Sequence, residues 1–405
     1  MSYISRHFEK VIDYALRQTK VVLITGPRQV GKTKIITERY SNFNYVTLDD
    51  DNALFLAKDD RKMFFDKYKT PLAIDEVQYA QELFRTIKLI VDKSDKRGQI
   101  ILTGSQSFLL MDRISDSLAG RISILELPTL SLRELNKVSF NQPFIPNVNY
   151  INERKKERNE KVDIWRIIQR GSFPEMQDES RNAEWFYRDY INTYLERDVK
   201  KIINIKDELI FRKFLICLAA RTGQLLVYED ISDDLGIAVN TVKSWVSLVA
   251  QTGIIRMINT YQNNFLKRII KTPKIYFMDT GLVCYLGRWK TKEQCENGAM
   301  SGYLFETYIV SEICKSFLNA GKTLDSIYYY RDKEKNEIDL IIEDGDDIYP
   351  IEIKKAATIN NDWKKYNSIL SKVKNKNVRP LSIICNVEEY VSLSDNVNVM
   401  PYTFI

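Results

Sequence analysis

Two groups of residues in this 405-residue chain have the types and spacing for chemistry on phosphates. The first begins with Gly26-Pro27-Arg28-Gln29-Val30-Gly31-Lys32-Thr33, a G-x-x-x-x-G-K-T run. Its glycines permit a tight turn whose N–H groups face phosphate oxygens, its lysine reaches the β and γ phosphates, and its hydroxyl ligates Mg2+. Pro71-Leu-Ala-Ile-Asp75-Glu76 is an apolar run ending in two acids. Asp75 suits a Mg2+ held through water, and Glu76 suits polarising the attacking water. A third run, Ile100-Ile-Leu-Thr-Gly-Ser105, offers Thr103 or Ser105 to the γ phosphate. Arg121, after the small-residue turn Ser117-Leu-Ala-Gly, is either an arginine finger or a surface arginine. ATP and Mg2+ are the expected cofactors, and ATP hydrolysis the expected reaction.

The second group lies near the C-terminus. Glu337-Ile-Asp339 opens one apolar run, and Ile351-Glu352-Ile-Lys354 follows thirteen residues after Asp339. Strand alternation puts Glu352 and Lys354 on one face, with Asp339 on the neighbouring strand. Glu306, on an upstream helical pattern, supplies a further acid. Asp339, Glu352 and Glu306 are candidate Mg2+ ligands, and Lys354 a candidate to orient water or offset developing charge. A solvated hairpin of alternating Glu and Lys is the plain alternative.

The elements that must carry these residues follow from apolar periodicity. Residues 1–135 read as a mainly parallel α/β sheet, with strands at Val21–Thr25, 45–48, 72–74 and Ile100–Thr103 and helical spacing over 32–40 and 81–93. Residues 136–205 read as linker and helix, with the mixed-sign run Asn152-Glu-Arg-Lys-Lys-Glu-Arg-Asn-Glu-Lys161 as an exposed face. Residues 206–285 read as a helix-turn-helix, turned at Gly236 and backed by a strand or wing near Ile254. There Asn240, Thr241, Lys243 and Ser244 face outward and Val242, Trp245 and Leu248 inward, while Lys267, Arg268 and Lys271 form a nearby basic cluster. Residues 286–405 read as a second α/β unit, with Gly345-Asp-Asp and Tyr349-Pro350 supplying its turn.

The motifs Gly-Pro-Arg-Gln-Val-Gly-Lys-Thr, Ile-Asp-Glu-Val-Gln78, Leu-Thr-Gly-Ser and Leu-Ala-Gly-Arg together resemble the AAA-type ATPase domain of a large prokaryotic family. In that family the ATPase is joined to a C-terminal domain of unknown function. Tyr190-Ile-Asn-Thr-Tyr-Leu-Glu-Arg-Asp198 and Pro273-Lys-Ile-Tyr-Phe-Met-Asp-Thr-Gly281 resemble further segments of it, so the likeness spans essentially the whole chain. It implies an ATP-binding protein and no particular biological role. Separately, Asp339, Glu352-x-Lys354 and their hairpin resemble the PD-(D/E)xK nucleases, some relatives of which keep the fold without cleaving.

Composition narrows the remaining choices. His7 is the only histidine and stands near the N-terminus, far from either group, so neither a Ser-His-Asp triad nor a His-ligated zinc site is expected. Cys217, Cys284, Cys295, Cys314 and Cys385 have no C-x-x-C spacing and read as reduced thiols. No run approaches the length of a membrane span, and no secretory leader is visible, so a cytoplasmic protein is expected. Sixty basic against 54 acidic residues make the chain mildly basic, compatible with a nucleic-acid partner. The leading expectation is an ATP-regulated protein acting on nucleic acid, DNA above all; the alternative is an ATP-dependent switch or scaffold whose nuclease-like fold does not cleave. A homo-oligomer follows if Arg121 acts in trans.

Overall fold

The computed structural model describes residues 3–104, 117–157, 162–195, 208–262, 268, 271–356, 366 and 376–405. Its N-terminal layer comprises α1 (Phe8–Gln18), β1 (Val21–Thr25), α2 (Lys32–Arg39), β2 (Asn44–Thr47), α3 (Asp51–Asp59), α4 (Arg61–Lys67), β3 (Leu72–Asp75), α5 (Leu83–Asp92), β4 (Ile100–Thr103) and β5 (Ile122–Glu126). The strands form a five-stranded parallel sheet in the order β2-β3-β4-β1-β5. Every residue of β1, β3 and β4 is buried, as parallel strands covered on both faces must be. β4 pairs with β1 on one side and β3 on the other, so the C-terminal ends of all three strands meet. The edge strand β5 is absent from the periodicity reading. It is only half-buried and carries Ser123 among its apolar residues, which weakens the run.

The middle of the chain is helical: α6 (Leu132–Leu135), α7 (Val148–Lys156), α8 (Ile164–Arg170), α9 (Ala183–Tyr190) and α10 (Glu208–Ala220). After these come β6 (Gln224–Leu225), α11 (Tyr228–Leu235), α12 (Val239–Gln251), β7 (Ile255–Ile258), β8 (Lys274–Phe277), α13 (Thr280–Leu286) and α14 (Lys292–Asn297). Gly236 turns α11 into α12 at φ +65°, in the left-handed region that glycine tolerates. Val242, Trp245 and Leu248 are buried, while Asn240, Lys243 and Ser244 are exposed and Thr241 half-buried. Trp245 sets its edge against Phe211 and Phe214 of α10 (5.2 and 5.3 Å), and the antiparallel sheet β6-β8-β7 lies behind.

Two expectations for charged residues change here. Arg154, in the mixed-sign run, is 1% exposed and donates to the carbonyls of Thr403 and Phe404. Only its neighbours form a solvated face; residues 158–161 lie outside the described residues. Of the basic cluster, Lys267 also lies outside them. Arg268 turns inward to Glu343 (2.7 Å) and Tyr328, so it does not present its charge to a phosphate.

The last layer contains α15 (Ser301–Asn319), β9 (Ile327–Arg331), β10 (Glu337–Asp344), β11 (Asp347–Lys354), β12 (Asn377–Val378), β13 (Leu381–Cys385), β14 (Val391–Ser394) and β15 (Val397–Pro401). Strands β9, β10 and β11 form an antiparallel meander, after which β13 and β15 add parallel to β11. The β10–β11 turn is at Gly345 (φ +60°) alone with Asp346. Tyr349 and Pro350, expected in the turn, lie inside β11. Proline is tolerated there because the neighbour of β11 changes at that point, from β12 opposite Ile348 to β13 opposite Ile351. A bridge between Thr260 and Tyr329 joins β9 to the chain leaving β7.

Candidate functional site

The loop after β1 is shaped by backbone that ordinary residues avoid. Gly26 has φ +131°, and a Cβ there would stand 2.3 Å from the Leu127 carbonyl oxygen. Gln29 and Gly31 also have positive φ, +60° and +96°, and Gly31 leads directly into α2. The loop therefore wraps around the N-terminus of a helix, where free N–H groups and the dipole favour an anion. Lys32 is 7% exposed and donates to the carbonyls of Gly26 (3.0 Å) and Pro27 (2.8 Å), keeping its ammonium within the loop. From outside, the buried Arg6 fastens the loop. It donates to Val30 (2.9 Å) and Pro128 (2.8 Å) carbonyls and pairs with Glu134 (3.0 Å).

Asp75, at the end of β3, gathers the second half of this site. Its carboxylate accepts from Thr33 (2.8 Å) on α2, from Tyr45 (2.9 Å) on β2 and from Thr103 on β4. Glu76 follows with φ +58° and ψ +43°, unusual for a residue with a side chain. The Glu76 amide donates to Thr103 Oγ1 (3.2 Å), and the Gln78 amide nitrogen donates to the Glu76 carboxylate. Thr33, Asp75 and Thr103 thus form an all-oxygen set beside the loop, the donor chemistry a hard divalent cation takes. Arg28, Gln29 and Val30 complete the loop; Ser105 lies outside the described residues.

Arg121 is placed elsewhere. Its carbonyl accepts from Val21 N at the start of β1 (3.0 Å), the opposite end of a strand about 16 Å long from the loop. Its guanidinium is paired bidentately with Asp92 (2.6 and 2.9 Å). It does not reach the nucleotide loop of its own chain.

The C-terminal acids come together across β10 and β11. Asp339 accepts from Ile353 N (2.8 Å), Glu352 is 2% exposed and accepts from Lys354 (2.7 Å), and the Asp339 amide faces Glu352 Oε1 at 3.4 Å. Glu306, on α15, is bonded by Tyr276 (2.6 Å) and Lys274 (3.1 Å), and Lys274 also pairs with Glu337 (2.6 Å). Burial, reinforced by the Asp339 charge, pushes both Glu306 and Glu352 up to about 7. Burial alone would lower Lys274 and Lys354, but the surrounding carboxylates outweigh it and raise both. Among the described residues no group of three or more His, Cys, Asp or Glu is arranged to hold a metal ion. Glu306 is therefore not brought into one ligand set with Asp339 and Glu352; a lysine and a tyrosine hold it instead. Lys274 and Tyr276 were missed by the sequence reading, although alternation along Pro273-Lys-Ile-Tyr puts them on one strand face. Tyr45 and Arg6 carried no signal of their own.

The elements that carry the two sites touch one another. Arg256 on β7 pairs with Glu126, at the loop end of β5, and a Cβ on Gly253 would lie 3.2 Å from Pro27 of the loop. On α15, Lys315 bonds Glu312 (2.9 Å) and the Leu130 carbonyl (3.1 Å), while Glu312 accepts from Leu132 N (2.7 Å). The helix that carries Glu306 is thereby docked on the segment following β5.

Comparison with known proteins divides the chain into three parts. Residues 18–136 match the family model described as AAA domain, residues 161–293 a domain of unknown function (DUF8612), and residues 301–405 another (DUF4143). An uncharacterized protein of Mycobacterium tuberculosis is 26% identical over 389 residues, covering 96% of this chain and 81% of that protein. One of Methanocaldococcus jannaschii is 21% identical over 420 residues, covering 96% and 89%. Among solved structures, the Walker-type ATPase of Pyrococcus abyssi aligns with a TM-score of 0.44 and 16% identity, over 70% of this chain and 96% of that one. A signal transduction ATPase (STAND) of Pyrococcus horikoshii aligns with a TM-score of 0.24 and 15% identity, over 78% and 47%. The AAA match and the loop geometry together support an AAA-type ATPase. No helix among the described residues is long and apolar enough to cross a membrane.

Proposed function

We propose that this protein hydrolyses ATP and uses the nucleotide state to control an action on nucleic acid by its C-terminal layer. One observation carries the ATPase reading: Thr33 Oγ1 and the Asp75 carboxylate, from α2 and β3, meet at 2.8 Å beside the lysine-bearing loop. In this reading Gly26, Pro27, Arg28, Gln29, Val30 and Gly31 wrap the phosphates, Lys32 offsets their charge and Thr33 and Asp75 hold Mg2+. Bound Mg2+ supplies charge neutralisation at the phosphates. Glu76, oriented by Gln78, takes the proton of the attacking water, and Thr103 fixes Asp75 and the Glu76 backbone. With labelled ATP and a phosphate-release assay, Lys32→Ala abolishes binding, while Glu76→Gln binds but stops turnover. Normal hydrolysis by Lys32→Ala would sink the assignment. Arg121 contributes only if a second chain approaches the far end of the sheet, which sedimentation with and without ATP tests.

The nuclease reading is favoured by the layout of the last layer: helix α15, the meander β9-β10-β11, then β13 parallel to β11, with Asp339, Glu352 and Lys354 on the central hairpin. Asp339 and Glu352 suit Mg2+, which takes few carboxylates and keeps its waters. The rival reading, a docking fold that does not cleave, draws on Glu306 and Glu352 being raised to about 7 and on the lysines that pair with them. Incubating the protein with DNA and Mg2+ or Mn2+, with and without ATP, separates the two. Cleavage abolished by Asp339→Ala establishes the nuclease; intact DNA under every condition leaves the switch.

A further inference from the structure

Between α8, the start of α9, α10 and the end of α13 lies an open groove of about 820 Å³, apart from both sites above. Arg170, Arg212, Arg288 and Lys290 line it together with the rings of Tyr285 and Trp289. The partners of these cations are informative. Among the described residues Arg170 donates only to backbone carbonyls, those of Met176 (3.0 Å), Asp178 (2.9 Å) and Arg181 (3.2 Å). Arg212 donates to Asn192 Oδ1 (3.2 Å) and Tyr285 OH (3.4 Å), both neutral. Among the described residues no carboxylate pairs with Arg170, Arg212 or Arg288. Lys290 is paired, with Glu184 at 3.2 Å, and Glu179, a further acid of the wall, is taken by Arg166 at 2.6 Å. Neutral oxygens orient the Arg170 and Arg212 guanidinium groups without cancelling their charge, so a concave surface retains positive potential beside two aromatic rings.

Positive charge that tracks a backbone, with rings on which bases stack, is the chemistry of single-strand binding. We infer that this groove holds a stretch of single-stranded nucleic acid, phosphates on Arg170, Arg212 and Arg288 and bases against Tyr285 and Trp289. The volume takes roughly one or two nucleotides at a time. The inference rests on the nucleic-acid half of the proposed function and gives it a location. It also relates the groove to the acids: α14 starts just after Lys290, and Lys355, beside Lys354, donates to Ser301 Oγ (3.2 Å) and the Glu296 carbonyl at its far end. A six-residue helix, about 9 Å, separates the groove from that lysine.

The test is fluorescence anisotropy of the full chain with labelled oligothymidine and oligouridine of about 12 nucleotides, titrated across about 50–200 mM salt. Arg212→Ala with Arg288→Ala lowers affinity at least about 10-fold and flattens the log–log salt slope by about 1.4, two contacts on a single strand. Trp289→Ala loses about 10-fold with the slope unchanged. Arg288→Ala alone guards against misfolding, since the side chain is exposed, and Lys58→Ala with Lys62→Ala on α3 and α4 is the surface control. Labelled-ATP affinity stays at the wild-type value in all of them. Wild-type oligonucleotide affinity in the groove variants, or an equal loss in the control, overturns the groove while the nucleic-acid reading stands. A wild-type chain that binds neither oligonucleotide at low salt overturns both and leaves the ATPase untouched.

Discussion

Asp75 accepts three hydroxyl hydrogen bonds from three separate elements, and the next residue, Glu76, bends into the left-handed region. That conformation costs about 1–2 kcal/mol for a residue with a Cβ and persists only where its surroundings enforce it. Asparagine tolerates it and a β-branched residue does not. Urea unfolding therefore ranks Glu76→Asn at or above wild type and Glu76→Val about 1–2 kcal/mol below, and the proposed mechanism has both lose hydrolysis. His7 makes a second prediction. Burial lowers its pKa despite the pull of Glu134, and Nε2 lies 2.7 Å from the Val138 carbonyl. The unfolded chain then takes the proton first, so stability falls as pH drops through the ordinary imidazole range near 6.5. His7→Gln flattens that stretch of the stability-versus-pH curve measured by urea midpoint. The loop after β1 and the acids at the end of β3 were legible because each is a contiguous motif. Tyr45, Arg6 and Lys274 were not, because they reach their sites through pairing and packing from elsewhere in the chain.

The loop after β1 is a joint held from two sides. Gly253, with φ +75°, lets the end of α12 lie against Pro27 and Glu126; a Cβ would sit 2.9 Å from Glu126 Oε1. Gly253→Ala adds both backbone strain and this contact. The expected result is a loss of about 1–2 kcal/mol and weaker binding of labelled ATP, where a passive linker would leave nucleotide affinity unchanged. Strands β1, β3 and β4 were readable as short unbroken apolar runs, which burial on both faces imposes, and helix α12 from the helical spacing of its buried side. The edge strand β5 and the proline inside β11 were not, because each depends on which strand lies beside it rather than on its own sequence.

A buried ion pair on α15 fixes the last layer to the segment that follows β5. Lys315 and Glu312 have side chains 1% and 4% exposed, and between them they satisfy Leu130 O and Leu132 N. Removing one partner strands the other's charge: Lys315→Met costs about 3–5 kcal/mol in urea unfolding, and the double Glu312→Leu/Lys315→Met recovers part of it. No local pattern announces a contact between residues about 180 positions apart. The AAA-type motif was visible in the sequence; the docking of α15 on the segment that follows it was not.

That docking bears on how such chains diversify. Arg133, Tyr150 and Arg154 hold the carbonyls of residues 403–405, and Tyr402 bonds back to Val162. Residues 301–405 are therefore a poor cassette for exchange between relatives. A chimera that imports them alone loses its fit to residues 130–154 and to Val162, whereas one that imports both stretches keeps it. Transplanted with its cradle, the C-terminal layer keeps the partners that hold its last residues.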